Sequence, residues 1–192
     1  LPTTVTNTIV DELTTKGVSW GTYAESLPTL TLLGADPNSA SWAPNEHTFA
    51  QLQTDAAAGA LPHVVFIDPD FVNEGYEGQD EHPPAVMQVG ENWLAGVTKT
   101  LMSSPQWAHM AFFILYDEHG GLYDHVAPPP ACPPDDTQPI LSTPPDAGGS
   151  PYGGFNELGI RLPFVDLSPY SKKHYVSHQV YDHTSVLRFI EA

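Results

Sequence analysis

The sequence carries a single cysteine, Cys132. No internal disulfide can therefore form, and no metal centre built on several thiolates is open to the chain. A lone thiol either stays free or pairs with another segment. No stretch reaches the roughly 18 consecutive apolar residues of a membrane-spanning helix, so no transmembrane segment is expected. The opening LPTTVTNTIVDEL has neither a charged n-region nor an apolar h-region, and it does not read as a signal peptide. A mature chain and an excised fragment can both begin this way. No internal repeat is present. Cations are scarce: six Lys and Arg face 23 Asp and Glu, for a net charge of −17, and Lys16 is the only one before Lys99. Nucleic acid and anionic membranes bind through clustered Lys and Arg, so nucleic acid is excluded as a partner and an anionic bilayer is disfavoured.

What is present suffices for one folded domain. The chain has 192 residues, 41% of them hydrophobic, enough to build a core. Val5, Ile9 and Leu13 lie at helical spacing within residues 4–16, and Gly17 follows as a stop. Residues 18–23 read as extended and 37–44 as loop. Residues 47–58 read as a helix closed by Gly59 and Pro62. Residues 63–67, an unbroken apolar run ending at Asp68-Pro69, predict a buried strand. A polar loop is expected over 75–84. The strongest helix covers 86–104, with Val86, Val89, Trp93, Val97 and Leu101 in register; Gly90 and Gly96 weaken it. Residues 111–116 and 162–167 predict two more strands. A last helix is expected to start at Thr184, acting as its N-cap. Nine of the twenty prolines fall between Pro128 and Pro151, so 127–151 is expected to be an irregular excursion. Apolar strands alternating with helices argue for an α/β sandwich with a largely parallel sheet. In such sheets ligands sit past the carboxyl ends of strands, where this sequence puts Asp68 and the pair Asp117-Glu118.

The segment Tyr116-Asp117-Glu118-His119-Gly120-Gly121-Leu122-Tyr123-Asp124-His125 concentrates three carboxylates and two imidazoles directly after a strand. Carboxylates gathered at one place repel each other unless a positive charge sits among them. A divalent cation fits. Oxygen donors favour calcium, with magnesium next, while mixed His and carboxylate donors leave zinc as an alternative. The glycine pair allows a tight turn and leaves room for a ligand. An exposed acidic turn is the bland reading of the same residues.

The string ILYDEHGGLYDHVAPP resembles the signature of the phosphoesterase family that includes bacterial phospholipases C, plant non-specific phospholipases C and acid phosphatases. SWGTYAESLP, DEHPP at 80–84, LGIRLPFVDLSPYSK and YDHTSVLRFIE resemble further segments of that family, in family order, with Leu162 where valine is usual. The resemblance implies a three-layer α/β/α sandwich of the alkaline phosphatase type. It identifies residues 1–192 as the C-terminal part of one catalytic domain. It implies metal ligation by Asp117 and Glu118, a phosphate-contacting His82, and a phosphate pocket lined by His125 with Asp124. His119 falls at a variable position, and His183 and Ser185 match a late motif expected to support the site. The family's Glu-Asn and Ser-Phe-Asp segments and its Ser or Thr nucleophile are missing, so the chain is expected to need an N-terminal half and to lack autonomous activity.

The activity implied is phosphate-ester hydrolysis, foremost phospholipase C cleavage to diacylglycerol and a phosphorylated head group. Acid phosphatase action on small monoesters is one alternative; a non-catalytic metal-binding or interaction fragment is another. An acidic chain that receives phosphate esters needs local relief of its field, which a bound cation supplies. The charge tolerates zwitterionic lipid and transient contact with a membrane surface, and the family implies a secreted or periplasmic location. Trp20, Trp42, Trp93 and Trp107 are expected in the core rather than on a lipid-facing rim. His63, His47, His109, His174 and His178 are expected to be structural.

Overall fold

A computed structural model describes residues 8–33, 42–72, 77–133 and 155–192. Val5, residues 37–41, residues 75–76 and residues 134–151 of the Pro-rich stretch lie outside the described residues. In chain order the elements are α1 (Ile9–Lys16), β1 (Trp20–Ala24), β2 (Glu46–Thr48), α2 (Phe49–Ala58), β3 (Val64–Asp68), α3 (Met87–Met102), β4 (Phe112–Leu115), β5 (Phe164–Leu167) and α4 (His183–Glu191).

Three strands form a parallel sheet in the order β2-β1-β3, with Trp20 opposite Val64 and Ala24 opposite Asp68. Side chains alternate across a strand, and this sheet uses both faces. Tyr23, Val65 and Ile67 pack with Leu52 and Ala56 of α2 and Val97 and Leu101 of α3. Trp20, Val64 and Phe66 pack the other way, with Val10 and Leu13 of α1, Trp42, and Ile190 of α4. Helices thus cover the sheet on both sides, as in a three-layer α/β/α arrangement. Trp20 and Trp42 meet edge to face at 5.4 Å. Trp93 packs on the α2 and α3 side and leans on Phe49 at 5.9 Å. Those three tryptophans serve the core. His63 behaves as expected, with Nδ1 2.7 Å from the Ser19 hydroxyl.

Some expectations need correction. The strand at 112–115 does not join the parallel sheet. β4 pairs antiparallel with β5, Phe112 opposite Leu167 and Leu115 opposite Phe164, in a separate two-stranded sheet. Apolar composition reports burial and not strand direction, and Phe112 is indeed packed against the α2 and α3 side of the core. The helix expected from residue 47 starts at Phe49. Glu46–Thr48 pairs with β1 instead, and the Thr48 hydroxyl accepts the Gln51 N–H at 3.3 Å as the N-cap. The last helix is capped by Asp182 rather than Thr184, through reciprocal bonds with Ser185. The described start of the Pro-rich stretch is irregular apart from one bridge, Pro130 to Glu157.

Leu52 is fully buried between the sheet and its own helix. Replacing it by alanine is expected to cost about 2–5 kcal/mol, read as a lowered denaturant midpoint at unchanged slope. A cost below about 1 kcal/mol would mean that this layer of the core is not what holds the sheet.

Candidate active site

β4 carries the chain out of the core and delivers the acidic segment at its carboxyl end. Tyr116 is anchored twice. Its carbonyl accepts from Nε2 of His183, the first residue of α4, at 2.8 Å, and its hydroxyl donates a short hydrogen bond to Glu81. Burial, then the Glu81 carboxylate, pushes the Tyr116 phenol up to about 12. The segment then closes on itself. Asp117 Oδ1 accepts the Glu118 N–H and Glu118 Oε2 accepts the Gly120 N–H, both at 2.9 Å. Gly120 and Gly121 take φ of 61° and 73°, in the left-handed region that a side chain would disfavour. Each carboxylate keeps one oxygen clear of these backbone bonds.

The 80–84 loop comes to the same place from α3's amino end. Gln79 tethers it to Asp70, just past β3, through bonds of 3.1 and 3.2 Å. His82 Nδ1 lies 2.9 Å from the Pro83 carbonyl. A carbonyl only accepts, so the ring proton sits on Nδ1 and leaves Nε2 facing outward. That Nε2 is 3.9 Å from Glu118 Oε1, with the two side chains 62% and 50% exposed. A contact that open contributes little stability; its meaning is positional. Pro83 lies against the glycine turn, its Cδ 3.1 Å from where a Cβ on Gly120 would stand. The 80–84 loop and the 116–120 end of the second motif therefore meet at one place.

Asp124 is held by Arg161, whose Nε donates to Oδ2 at 2.8 Å and Nη2 to Oδ1 at 3.0 Å. The Val126 N–H adds a bond of 3.0 Å. The Arg161 bond first, and then the Val126 N–H, push the Asp124 carboxyl down to about 2. His125 is exposed beside it. Asp68 is not at this site by any contact; it accepts the Thr29 N–H at 3.1 Å and hydroxyl at 2.6 Å, and burial raises its pKa. His119 buries its Nδ1 without a hydrogen-bond partner among the described residues. Ser185 is spent on capping α4.

Among the described residues no three His, Cys, Asp or Glu side chains gather closely enough to hold a metal ion. Asp117 and Glu118 have the hard-oxygen chemistry of calcium or magnesium ligands, and their free oxygens suit them to part of a shell. The fit is thus partial: these two carboxylates alone would not complete a shell.

Sequence reasoning missed three residues. Glu81 and Tyr116 lay inside quoted motifs but carried no role. Arg161 had a signal, since it is the only cation between Lys99 and Lys172. Arg161→Ala is expected to raise the Asp124 midpoint from about 2 toward the ordinary carboxylate range, short of it while the Val126 N–H bond remains, followed by carboxyl NMR titration. Because the folded value is depressed, the pair's contribution is full above the ordinary carboxylate pKa and disappears as pH falls toward 2. An unmoved midpoint would remove Arg161 as the cause.

Comparison with known proteins places the chain in a family. The Phosphoesterase family profile matches residues 1–192. The chain is 34% identical to non-specific phospholipase C1 of Arabidopsis thaliana over 177 residues, which is 90% of this chain and 31% of that protein. It is 39% identical to the non-hemolytic phospholipase C of Burkholderia pseudomallei over 155 residues, 75% of this chain and 20% of that protein. Identity to phospholipase C B of Mycobacterium tuberculosis is 36% over 143 residues, 72% of this chain and 26% of that protein. The chain spans about a third or less of the length of these relatives. A family match running the whole length, through both the 80–84 loop and the 116–125 turn, establishes that the chain belongs to the Phosphoesterase family.

Proposed function

We propose that this chain forms part of a phospholipase C-type enzyme that hydrolyses the glycerol–phosphate ester bond of phospholipids, releasing diacylglycerol and a phosphorylated head group. One observation carries the reading: His82 and Glu118, distant in sequence, face each other across 3.9 Å at the carboxyl end of β4, beside Asp117. The phospholipase C names of the relatives favour lipid over small phosphomonoesters.

In this reading His82 does the proton work. Its Nδ1–H is held by the Pro83 carbonyl, which favours the ring orientation that turns Nε2 toward Glu118. When doubly protonated, Nε2–H donates to a phosphate oxygen or to the leaving oxygen. His125 lines the same pocket, and Asp124, locked by Arg161, fixes the backbone from which His125 projects. Asp117 and Glu118 would hold a divalent cation, calcium ahead of magnesium or zinc, through the oxygens their turn leaves free. Such an ion, when bound, would offset the acidic field and withdraw charge from the phosphate. The nucleophile, a Ser or Thr, and the other ligands belong to polypeptide outside these 192 residues. Secretion or a periplasmic location, and transient contact with a zwitterionic membrane surface, are parts of the same proposal.

The test uses the polypeptide that contains this chain together with the rest of the family's length. Turnover is measured on phosphatidylcholine and on a chromogenic phosphate monoester, with and without chelator. Chelator-sensitive cleavage of phosphatidylcholine is expected, abolished by Asp117→Ala and lowered about 10²–10⁴-fold by His82→Ala. Monoester turnover alone would replace the lipase reading with a phosphatase. Full activity in Asp117→Ala would remove the cation role.

A further inference from the structure

We propose that the Glu81–Tyr116 hydrogen bond is a latch that positions His82, and that Gly90 is present because the latch needs its space. The proposal rests on the reading of His82 as a reacting residue, and it adds two positioning residues and a steric requirement to that reading.

The argument starts from the backbone. Glu81 sits at φ 63°, a left-handed conformation that a residue with a long side chain adopts only when its surroundings impose it. Rotation about this φ swings the chain that follows, so the value at Glu81 sets where His82 emerges. Two contacts impose it. On one side the Tyr116 hydroxyl donates to Glu81 Oε2, drawing the Glu81 side chain inward. On the other, Gly90 of α3 opens the space that this side chain enters. A Cβ at Gly90 would stand 2.3 Å from Glu81 Cγ, 2.6 Å from its Oε1 and 2.7 Å from the Gln79 carbonyl oxygen. None of these can coexist with a methyl group, so any larger residue at 90 must move the loop.

Tyr116 is itself a fixed point, because His183 holds its carbonyl. With Glu81 turned inward, His82 is turned outward, and Pro83 on its far side rests against the Gly120 turn. The imidazole is thus bracketed by one contact to the residue before Asp117 and one to the turn after Glu118. A purely stabilising role would not require the residue next to His82 to be the one held in an unfavourable conformation.

The ring resonances of His82 in isotope-labelled protein read the latch without any need for turnover. Tyr116→Phe and Glu81→Ala are expected to shift them in the same direction. Glu81→Gln, whose amide oxygen still accepts from the Tyr116 hydroxyl, is expected to leave them near their original positions. Gly90→Ala should shift them as Tyr116→Phe does, and the double variant should go no further than either single change. His63, bonded to Ser19 away from the site, reports that the fold is intact. If Gly90→Ala does not fold, the Glu81→Ala and Glu81→Gln pair carries the test alone. In polypeptide that shows turnover, Tyr116→Phe is expected to lower kcat by up to about a hundredfold with KM nearly unchanged. His82 resonances unmoved by Tyr116→Phe and Glu81→Ala would overturn the latch. Shifted resonances in a protein with no phosphoesterase turnover would keep the latch and overturn the proposed function.

Discussion

The hydrogen bond from the Tyr116 hydroxyl to Glu81 joins stretches 35 residues apart, and the organisation of the site follows from it. β4 packs against the middle of α3 through Phe112, but the acidic turn and the 80–84 loop come from separate stretches of chain. Among the described residues β4 pairs with β5 alone, while the 80–84 loop is tied to the end of β3 through Asp70 and Gln79. Once Tyr116 and Glu81 are bonded, the residues after each of them, Asp117-Glu118 and His82, must share one surface. The Gly120 turn and Pro83 then meet, and the acidic turn gains an imidazole facing it. Neither motif would be a site alone.

Charge gives this surface its second constraint. With 23 acidic residues and six Lys and Arg, the chain has few ways to receive an anion. Arg161 is committed to Asp124 by two hydrogen bonds, which neutralises one carboxylate without leaving a free cation for a phosphate. Asp117 and Glu118 have their turn bonds satisfied and one oxygen each clear of them. Such a surface repels a phosphate ester until something positive joins it. The proposed cation, which Asp117 and Glu118 would hold, and a protonated His82 would both meet that need.

The sheet arrangement places this chemistry at the periphery. The parallel strands β2-β1-β3 are buried between helices on both faces, where hydrophobic packing concentrates stability. The β4–β5 pair carries the acidic turn but is far more open, with Phe164 and Val165 about half exposed. Asp68, at the end of β3, is held by Thr29, so of the two acidic strand ends it is the one at β4 that meets His82. The division separates the part that holds the fold from the part proposed to meet a ligand, as site residues on loops over a rigid scaffold generally do.

Much was decided by the sequence itself. Helical periodicity placed α1 and α3 to within a few residues; apolar runs placed β3, β4 and β5; and the motifs at 80–84 and 116–125 carried the family. These are local signals, because burial of a helix face or a strand depends on residues a few positions apart. The tertiary structure alone decided the antiparallel β4–β5 pairing, the Asp124–Arg161 bond, the anchoring of Tyr116 by His183 and the inward turn of Glu81 against Gly90. Each joins residues that are remote in the chain, where nothing in composition or spacing says which donor meets which acceptor. Gly90 shows the limit best: in the sequence it is a flaw in a helix, and only the approach of Glu81 from another element makes it a requirement.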